Sequence, residues 1–498
     1  EALHRIRRGI DCLQLDTEAM TAFRWMNRAM LEQRAHYALS AETSLRRGWV
    51  RAAGSGFSPA KPYRTPEYRS DVRWRPFQLA FILMNLAGVS DTADPERALV
   101  DVIWFPTGGG KTEAYLGLAA WTMLRRRMAD PSDAGVSVLM RYTLRLLTAQ
   151  QFQRAASLVC ALELLRRGQP DRLGAEPFSI GLWLGGSVTP NRDRSAVDAL
   201  TALNRGETRN PFVVLSCPWC GIEMGPRRIG NDRAATVFGY QKQSGTVRFV
   251  CPDPSCEFAG AQGLPLEVID ERIYERPPTM VIGTVDKFAM LPLTPRARRL
   301  FGLGYGEVSP PDLIIQDELH LISGPLGSMV GHYETLIDAL CTRKGADGRT
   351  RSPKIVASTA TISRASEQVS ALYGREARLF PPQALSAGDS FFAEERSDLP
   401  GRLYVGALGS GLSSHIVAQI RLTAALLQAP AGLRQTMTDE DVDPYWTLVT
   451  YFNSLRELGR ASTLIHADIR EYLKWVWRRA GLQEAPTDRT KLRRFVDE

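Results

Sequence analysis

Three groups of residues carry side chains whose types and spacing suit chemistry. The first is Pro106-Thr107-Gly108-Gly109-Gly110-Lys111-Thr112. Three successive glycines let backbone N–H groups curl around phosphate oxygens without a side-chain clash. Lys111 is then expected to reach the β- and γ-phosphates of ATP, and Thr112 to ligate Mg²⁺. The second group is Asp317-Glu318-Leu319-His320. An acidic residue at the end of a buried strand beside a phosphate loop is where Mg²⁺ is held, directly or through water, and Asp317 fits that role. Glu318 would orient and deprotonate an attacking water. On its own the acidic pair could equally cap a helix; the phosphate loop favours the metal reading. The third group is Cys217-Pro-Trp-Cys220 and Cys251-Pro-Asp-Pro-Ser-Cys256. Two close cysteine pairs in an intracellular chain suit a tetrahedral four-thiolate Zn²⁺ site before disulfides. An iron–sulfur cluster or four free thiols are the alternatives.

These residues need elements to hold them. Val100 to Phe105 reads as a buried strand running into the glycine loop, and Glu113 to Met128 as the helix whose N-terminus would face the phosphates. Pro311 to Gln316 reads as the strand that delivers Asp317. Further short apolar runs (Val136 to Leu139, Thr279 to Ile282, Ile355 to Ala357) alternate with helical stretches between Trp74 and Thr361. That alternation predicts an α/β fold, a parallel sheet with helices on both faces. Residues 1–72 predict a helical N-terminal region, with Phe23, Met26, Met30 and Tyr37 as its core stripe, followed by a Gly/Ser/Pro-rich linker. Residues 73–380 form the sheet domain, interrupted at 210–262 by the cysteine module. The separation of Lys111 from Asp317 is 317 − 111 = 206 residues, and that insertion accounts for much of it. Residues 381–498 read as a connecting segment and a second lobe, with a helix from Ser413 to Leu427, a strand at Tyr445–Ser454 and a helix from Leu455.

The phosphate loop departs from the general pattern at one place: Phe105 stands where the first glycine is expected. Pro-Thr-Gly-Gly-Gly-Lys-Thr resembles motif I of superfamily 2 helicases, which lack that glycine, and Asp-Glu-Leu-His resembles their DExH motif II. Other segments follow in the matching order. Trp74-Arg-Pro-Phe-Gln78 resembles a Q motif, in which the Gln78 amide reads the adenine edge; the plainer reading is a helix-start glutamine. Arg141-Tyr-Thr143, Gly185-Gly186 and Gly283-Thr284-Val-Asp-Lys287 resemble the loops that give hydroxyls, backbone N–H groups and a lysine to nucleic-acid phosphates. Ser358-Thr359-Ala360-Thr361 resembles motif III, which couples the two sites, with His320 reaching toward it. Tyr451-Phe-Asn453-Ser454 resembles motif IV at the start of a second RecA-like lobe, where Asn453 and Ser454 would touch nucleic acid. No arginine-finger segment follows before Glu498. Together with the cysteine module, these motifs from Trp74 to Leu473 are similar to the DrmA family, the helicase-domain proteins of DISARM bacterial anti-phage systems. That resemblance implies a RecA-like P-loop core, an ATPase that moves on DNA, a DrmB-like partner and neighbouring DNA methylation. A nucleotide-gated DNA clamp, an RNA helicase and an interaction module built on the cysteine box are the rival readings.

Composition sets the outer bounds. The chain has 498 residues, 44% hydrophobic and 23% charged, which excludes a disordered or collagen-like protein. No apolar run is long enough to cross a bilayer, no secretory signal is visible, and the expected compartment is the cytoplasm. Net charge is +8, of which residues 1–75 supply 14 basic less 8 acidic side chains, +6. That is compatible with nucleic acid without requiring it. The first residue is Glu1 rather than Met, so a piece of a longer protein is expected.

Overall fold

The computed structural model describes residues 1–479 except 42–46, 53–55, 64, 65, 67, 69–71, 106, 107, 144, 187, 208, 230–234, 345–347, 349, 360–363, 386–388, 395, 397, 400, 434 and 435. The chain divides into two compact units, Glu1–Glu395 and Arg396–Glu498.

The first unit is organised around eight strands: β1 (Val100–Trp104), β2 (Val138–Tyr142), β3 (Ile180–Trp183), β4 (Leu266–Glu267), β5 (Met280–Thr284), β6 (Leu313–Gln316), β7 (Lys354–Thr359) and β8 (Ala377–Phe380). They form one sheet in the order β4-β3-β5-β2-β6-β7-β1-β8, with every neighbouring pair parallel. The expected α/β class is therefore borne out. Parallel strands need crossovers, and these must cover both faces. The period-two alternation sorts the side chains accordingly. Val138, Met140, Leu313 and Ile315 join one apolar cluster, while Leu139, Ile314, Val100 and Val102 join the other.

The first face is covered by α1 (Ala2–Leu15), α2 (Thr17–Ala41), α3 (Pro76–Ser90), α4 (Lys111–Ala129) and α5 (Arg145–Arg167). The N-terminal helices are thus part of the sheet domain's own core: Met26 and Met30 are buried, and Phe23 packs against the cluster. Below the phosphate loop, Arg5 of α1 grips Asp101 of β1 through two bonds of 2.7 Å, and Lys354 of β7 approaches the same carboxylate at 2.6 Å. Burial acts to raise the Asp101 carboxyl, but Lys354 and Arg5 outweigh it and hold it below its usual range. The other face is covered by α6 (Gly324–Cys341) and α7 (Ala365–Tyr373). At the end of the 73–380 segment, β8 pairs with β1 from Ala377↔Val100 to Phe380↔Ile103.

In the second unit α8 (His415–Leu433) and α9 (Leu455–Leu464) match expected helices, and α10 (Arg470–Arg479) follows. The strand expected at Tyr445–Ser454 is not formed; a 3₁₀ turn at Asp443–Tyr445 leads into chain without strand pairing. A strand needs a neighbour to take its N–H and C=O groups, and the described residues of this unit contain none.

Candidate nucleotide site and cysteine module

β1, β7 and β6 lie side by side, and their C-terminal ends bring the expected residues together. Gly110 caps α4 at φ +92° and Gly108 sits at φ +80°, backbone that side chains rarely adopt. A Cβ on Gly110 would lie 2.7 Å from Gln78 Nε2. That closeness reflects a contact: Gln78 Nε2 donates to the Gly110 carbonyl at 2.7 Å, while its Oε1 accepts from Arg75 N–H at 2.8 Å. Arg75 also donates to the Gly109 carbonyl at 2.5 Å. Lys111, 9% exposed, donates from Nζ to the Phe105 carbonyl at 2.5 Å, tying the loop's two ends. Burial pushes the Lys111 ammonium down from its usual value, opposed by Glu318 and Asp317. Thr107, Ala360 and Thr361 lie outside the described residues.

Asp317 is 6% exposed and engaged on both oxygens. Oδ1 accepts from Ser358 Oγ and, at 2.9 Å, from Glu318 N–H. Oδ2 accepts from Tyr115 OH at 2.7 Å. Glu318 adopts φ +49°, unusual for a residue with a side chain. Partial burial pushes its carboxyl up, reinforced by the Asp317 charge and opposed by His320 and Lys111. His320 Nδ1 lies 3.5 Å from Glu318 Oε2 and 3.4 Å from Thr359 Oγ1. Gln368 of α7 donates to the Leu319 and Ile322 carbonyls at 2.8 and 2.6 Å, fixing the turn after the acidic pair.

The residues expected on nucleic-acid phosphates are placed differently. Arg141, 1% exposed, pairs with Glu334 of α6 and lies over the Phe288 ring. Lys287, 8% exposed, pairs with Asp270 at 2.5 Å. Thr284 is fully buried, and neither its hydroxyl nor that of Thr143 has a hydrogen-bond partner among the described residues. Gly185 and exposed Gly186 follow β3, where a Cβ on Gly186 would meet Asn191 at 2.7 Å. In the second unit, Ser454 caps α9 by accepting from Glu457 N–H at 3.3 Å, and Asn453 N–H donates to the Glu457 carboxylate at 3.1 Å. Arg141 and Lys287, as placed here, are buried in ion pairs rather than presented to a phosphate backbone.

The four cysteines are all buried, with their Sγ atoms within 4.8 Å of one another. Cys220 and Cys251 Sγ stand 3.5 Å apart, beyond a disulfide bond of roughly 2.05 Å. Tetrahedral Zn–S bonds of about 2.3 Å set sulfurs roughly 3.8 Å apart, so the donor set fits zinc. The loops are pre-shaped. Cys217 N–H donates to the Ile222 carbonyl at 2.9 Å and Gly221 N–H to the Cys217 carbonyl at 3.0 Å, with Gly221 at φ +71°. Two short antiparallel strand pairs, Gly225–Arg227 with Thr236–Phe238 and Tyr240–Gln243 with Thr246–Phe249, belong to the module. It is seated on the helices: Ser157 of α5 donates to the Pro218 carbonyl, and His36 of α2 stacks on Trp219 with ring centroids 3.3 Å apart.

Tyr115 and Arg75 were not among the residues singled out from sequence. Tyr115 is four positions beyond Lys111 on one helix face, a spacing that puts both at the same strand end.

The sheet, glycine loop, buried Lys111 and paired acidic strand end define a P-loop α/β protein of the RecA-like class, carrying a four-cysteine module able to hold zinc. Over 95% of its length the chain is 38% identical to the DISARM protein DrmA of Bacillus paralicheniformis, so the resemblance to DrmA proteins is borne out. The chain spans 44% of that relative's length. No protein-family model matches the chain. Among solved structures, a DUF1998 helicase, MrfA, bound to DNA overlaps 61% of this chain and 25% of its own, with TM-score 0.32 and 15% identity. The DEAD-box helicase Mss116 bound to ssRNA and UDP-BeF overlaps 61% and 39%, with TM-score 0.34 and 12% identity. Overlaps this slight do not bear on what the chain does. No helix among the described residues is long and apolar enough to cross a membrane.

Proposed function

We infer that the chain is the motor part of an ATP- and Mg²⁺-dependent superfamily 2 helicase or translocase of the DExH type, acting on DNA in bacterial phage defence. The observation that carries this reading is the meeting of Lys111, Asp317, Glu318 and Ser358 at the ends of three adjacent parallel strands. Similarity to DrmA supports the defence setting and a DrmB-like partner.

The residues divide the work by chemistry. The Gly108–Gly110 backbone and Lys111 hold and neutralise phosphate oxygens. Thr112 and Asp317 would hold Mg²⁺, which supplies positive charge against the transferring phosphoryl group. Glu318, its carboxyl raised by burial and by Asp317, accepts a proton from water. Ser358 joins Asp317 to β7, so movement at that strand end is felt at the acidic pair. We assign residues 73–380 to the ATP-binding lobe, 210–262 to a zinc-ribbon-like insertion, 1–72 to its helical flank, and 381–498 to a connector and part of a second lobe. Metal analysis of the purified chain separates zinc from iron at the cysteine module.

The test is ATP hydrolysis by the chain, with and without single-stranded DNA, beside Lys111→Ala and Glu318→Gln. DNA-stimulated turnover lost in both variants supports the motor. DNA binding without turnover in every condition overturns it in favour of a nucleotide-gated clamp. Preference for RNA in direct competition replaces DNA as the substrate.

A further inference from the structure

The hydroxyl of Tyr115 joins two groups that the nucleotide site uses separately. It lies 2.7 Å from Asp317 Oδ2 and 3.0 Å from Thr112 Oγ1, and the side chain is buried (1% exposed) in the second turn of α4. Counting protons fixes the direction of both bonds. A carboxylate only accepts, so the single Tyr115 proton goes to Asp317. Tyr115 oxygen then accepts, and Thr112 must supply the proton of the 3.0 Å bond. Thr112 is left with its lone pairs free of its own proton, which is what a hydroxyl needs to act as a metal ligand. On Asp317, Oδ1 takes two donors, Ser358 and the Glu318 N–H, and Oδ2 takes Tyr115, with the Tyr142 hydroxyl also bonded to this carboxylate.

We propose that Tyr115 is a positioning residue for Mg²⁺: the chain of bonds Thr112 OH to Tyr115 OH to Asp317 Oδ2 ties together the two groups that would hold the ion. This rests on the ATP reading above and deepens it. Tyr115 touches neither phosphate nor metal in this assignment; it acts through the two groups that do. Partners of this kind are worth about 10- to 100-fold in metal affinity.

The experiment titrates Mg²⁺ into the chain held with a fluorescent ATP analogue and follows bound analogue, so no turnover is needed. Tyr115→Phe removes only the hydroxyl. The expected result is a Mg²⁺ half-point raised about tenfold, with analogue affinity in EDTA and the melting temperature unchanged. A half-point within twofold of wild type in Tyr115→Phe overturns the proposal. So does an equal loss of affinity with and without Mg²⁺, the mark of a purely structural tyrosine. If Tyr115→Phe does not fold, Tyr115→Met, which also lacks the hydroxyl, is read by the same thresholds. Wild-type chain that binds the analogue with no Mg²⁺ dependence defeats the ATP reading itself, a result distinct from all of these.

Discussion

The sheet presents two stretches of strand ends that the sequence describes in similar terms and the structure treats in opposite ways. At the ends of β1, β7 and β6, polar side chains converge on one another: Lys111 on the loop carbonyl, Ser358 and Tyr115 on Asp317, His320 beside Glu318. At the ends of β2 and β5, residues expected to meet phosphates turn inward, Arg141 to Glu334 and Lys287 to Asp270. The difference lies in which face a strand position points to. Val138 and Met140 join the α4–α5 side, so Arg141 must point with Leu139 to the opposite face, where α6 supplies Glu334. A cation there costs too much to desolvate unless a carboxylate is beside it. A motif locates a strand end; the parity of the residue decides whether its side chain faces solvent or core.

The sharpest way to break this contrast is at its polar end. Glu318→Gln keeps the shape and removes the base, and is expected to lower kcat by about 10²- to 10⁴-fold with nucleotide binding retained. Single-turnover hydrolysis beside analogue binding checks it, and a variant that hydrolyses ATP within tenfold of wild type would remove Glu318 from the chemistry.

At the inward-turned end the expected loss is of stability. Lys287→Ala strands the Asp270 carboxylate and is expected to cost about 3 kcal/mol in urea unfolding at pH 7. In the wild type, burial outweighs Lys287 and pushes the Asp270 carboxyl up to about 6. Without its lysine the carboxyl rises further. A pKa raised on folding favours the folded state at low pH, so the loss shrinks as pH falls toward 5. The salt dependence of DNA binding should be unchanged, since Lys287 releases no counterion. A reduced salt slope without destabilisation would restore Lys287 to the nucleic-acid interface.

The third effect is smaller and concerns pH. Glu318 must be ionised to accept a proton, and its carboxyl is raised above the ordinary glutamate range, chiefly by burial and then by Asp317. The acid limb of kcat is therefore expected at higher pH than an exposed glutamate would give. Asp317→Asn removes the like charge and should move that limb to lower pH in whatever activity remains. A limb at the ordinary glutamate value would contradict the environment described here.

What could be read in advance follows from distance along the chain. The glycine loop, the acidic pair and the cysteine pairs are local patterns, and each is found where the spacing put it. The sheet was legible because apolar runs and helices alternate. Tyr115 and Asp317 are 202 positions apart, and Arg5 and Asp101 are 96 apart. No local pattern announces such pairs, because the fold brings them together. The Tyr445–Ser454 run fails for another reason. Its aromatic and β-branched residues suit a strand, but propensity does not supply a neighbouring strand to complete the backbone hydrogen bonds.

Gln78 gives the smallest and most discriminating test, because sequence left it with two readings. A glutamine that reads adenine must offer its amide to the base. Here Oε1 accepts from Arg75 N–H and Nε2 donates to the Gly110 carbonyl, so both ends of the amide already hold the chain that supports the glycine loop. One such hydrogen bond is worth about 1 kcal/mol net, or roughly fivefold in affinity. Gln78→Ala is therefore expected to weaken ATP and GTP about equally, through a loosened loop common to both. A base reader would behave otherwise, losing ATP affinity while leaving GTP untouched. Measured side by side with fluorescent analogues of the two nucleotides, the ratio of the losses decides the matter: near one, Gln78 belongs to the phosphate loop; well above one, it belongs to the base.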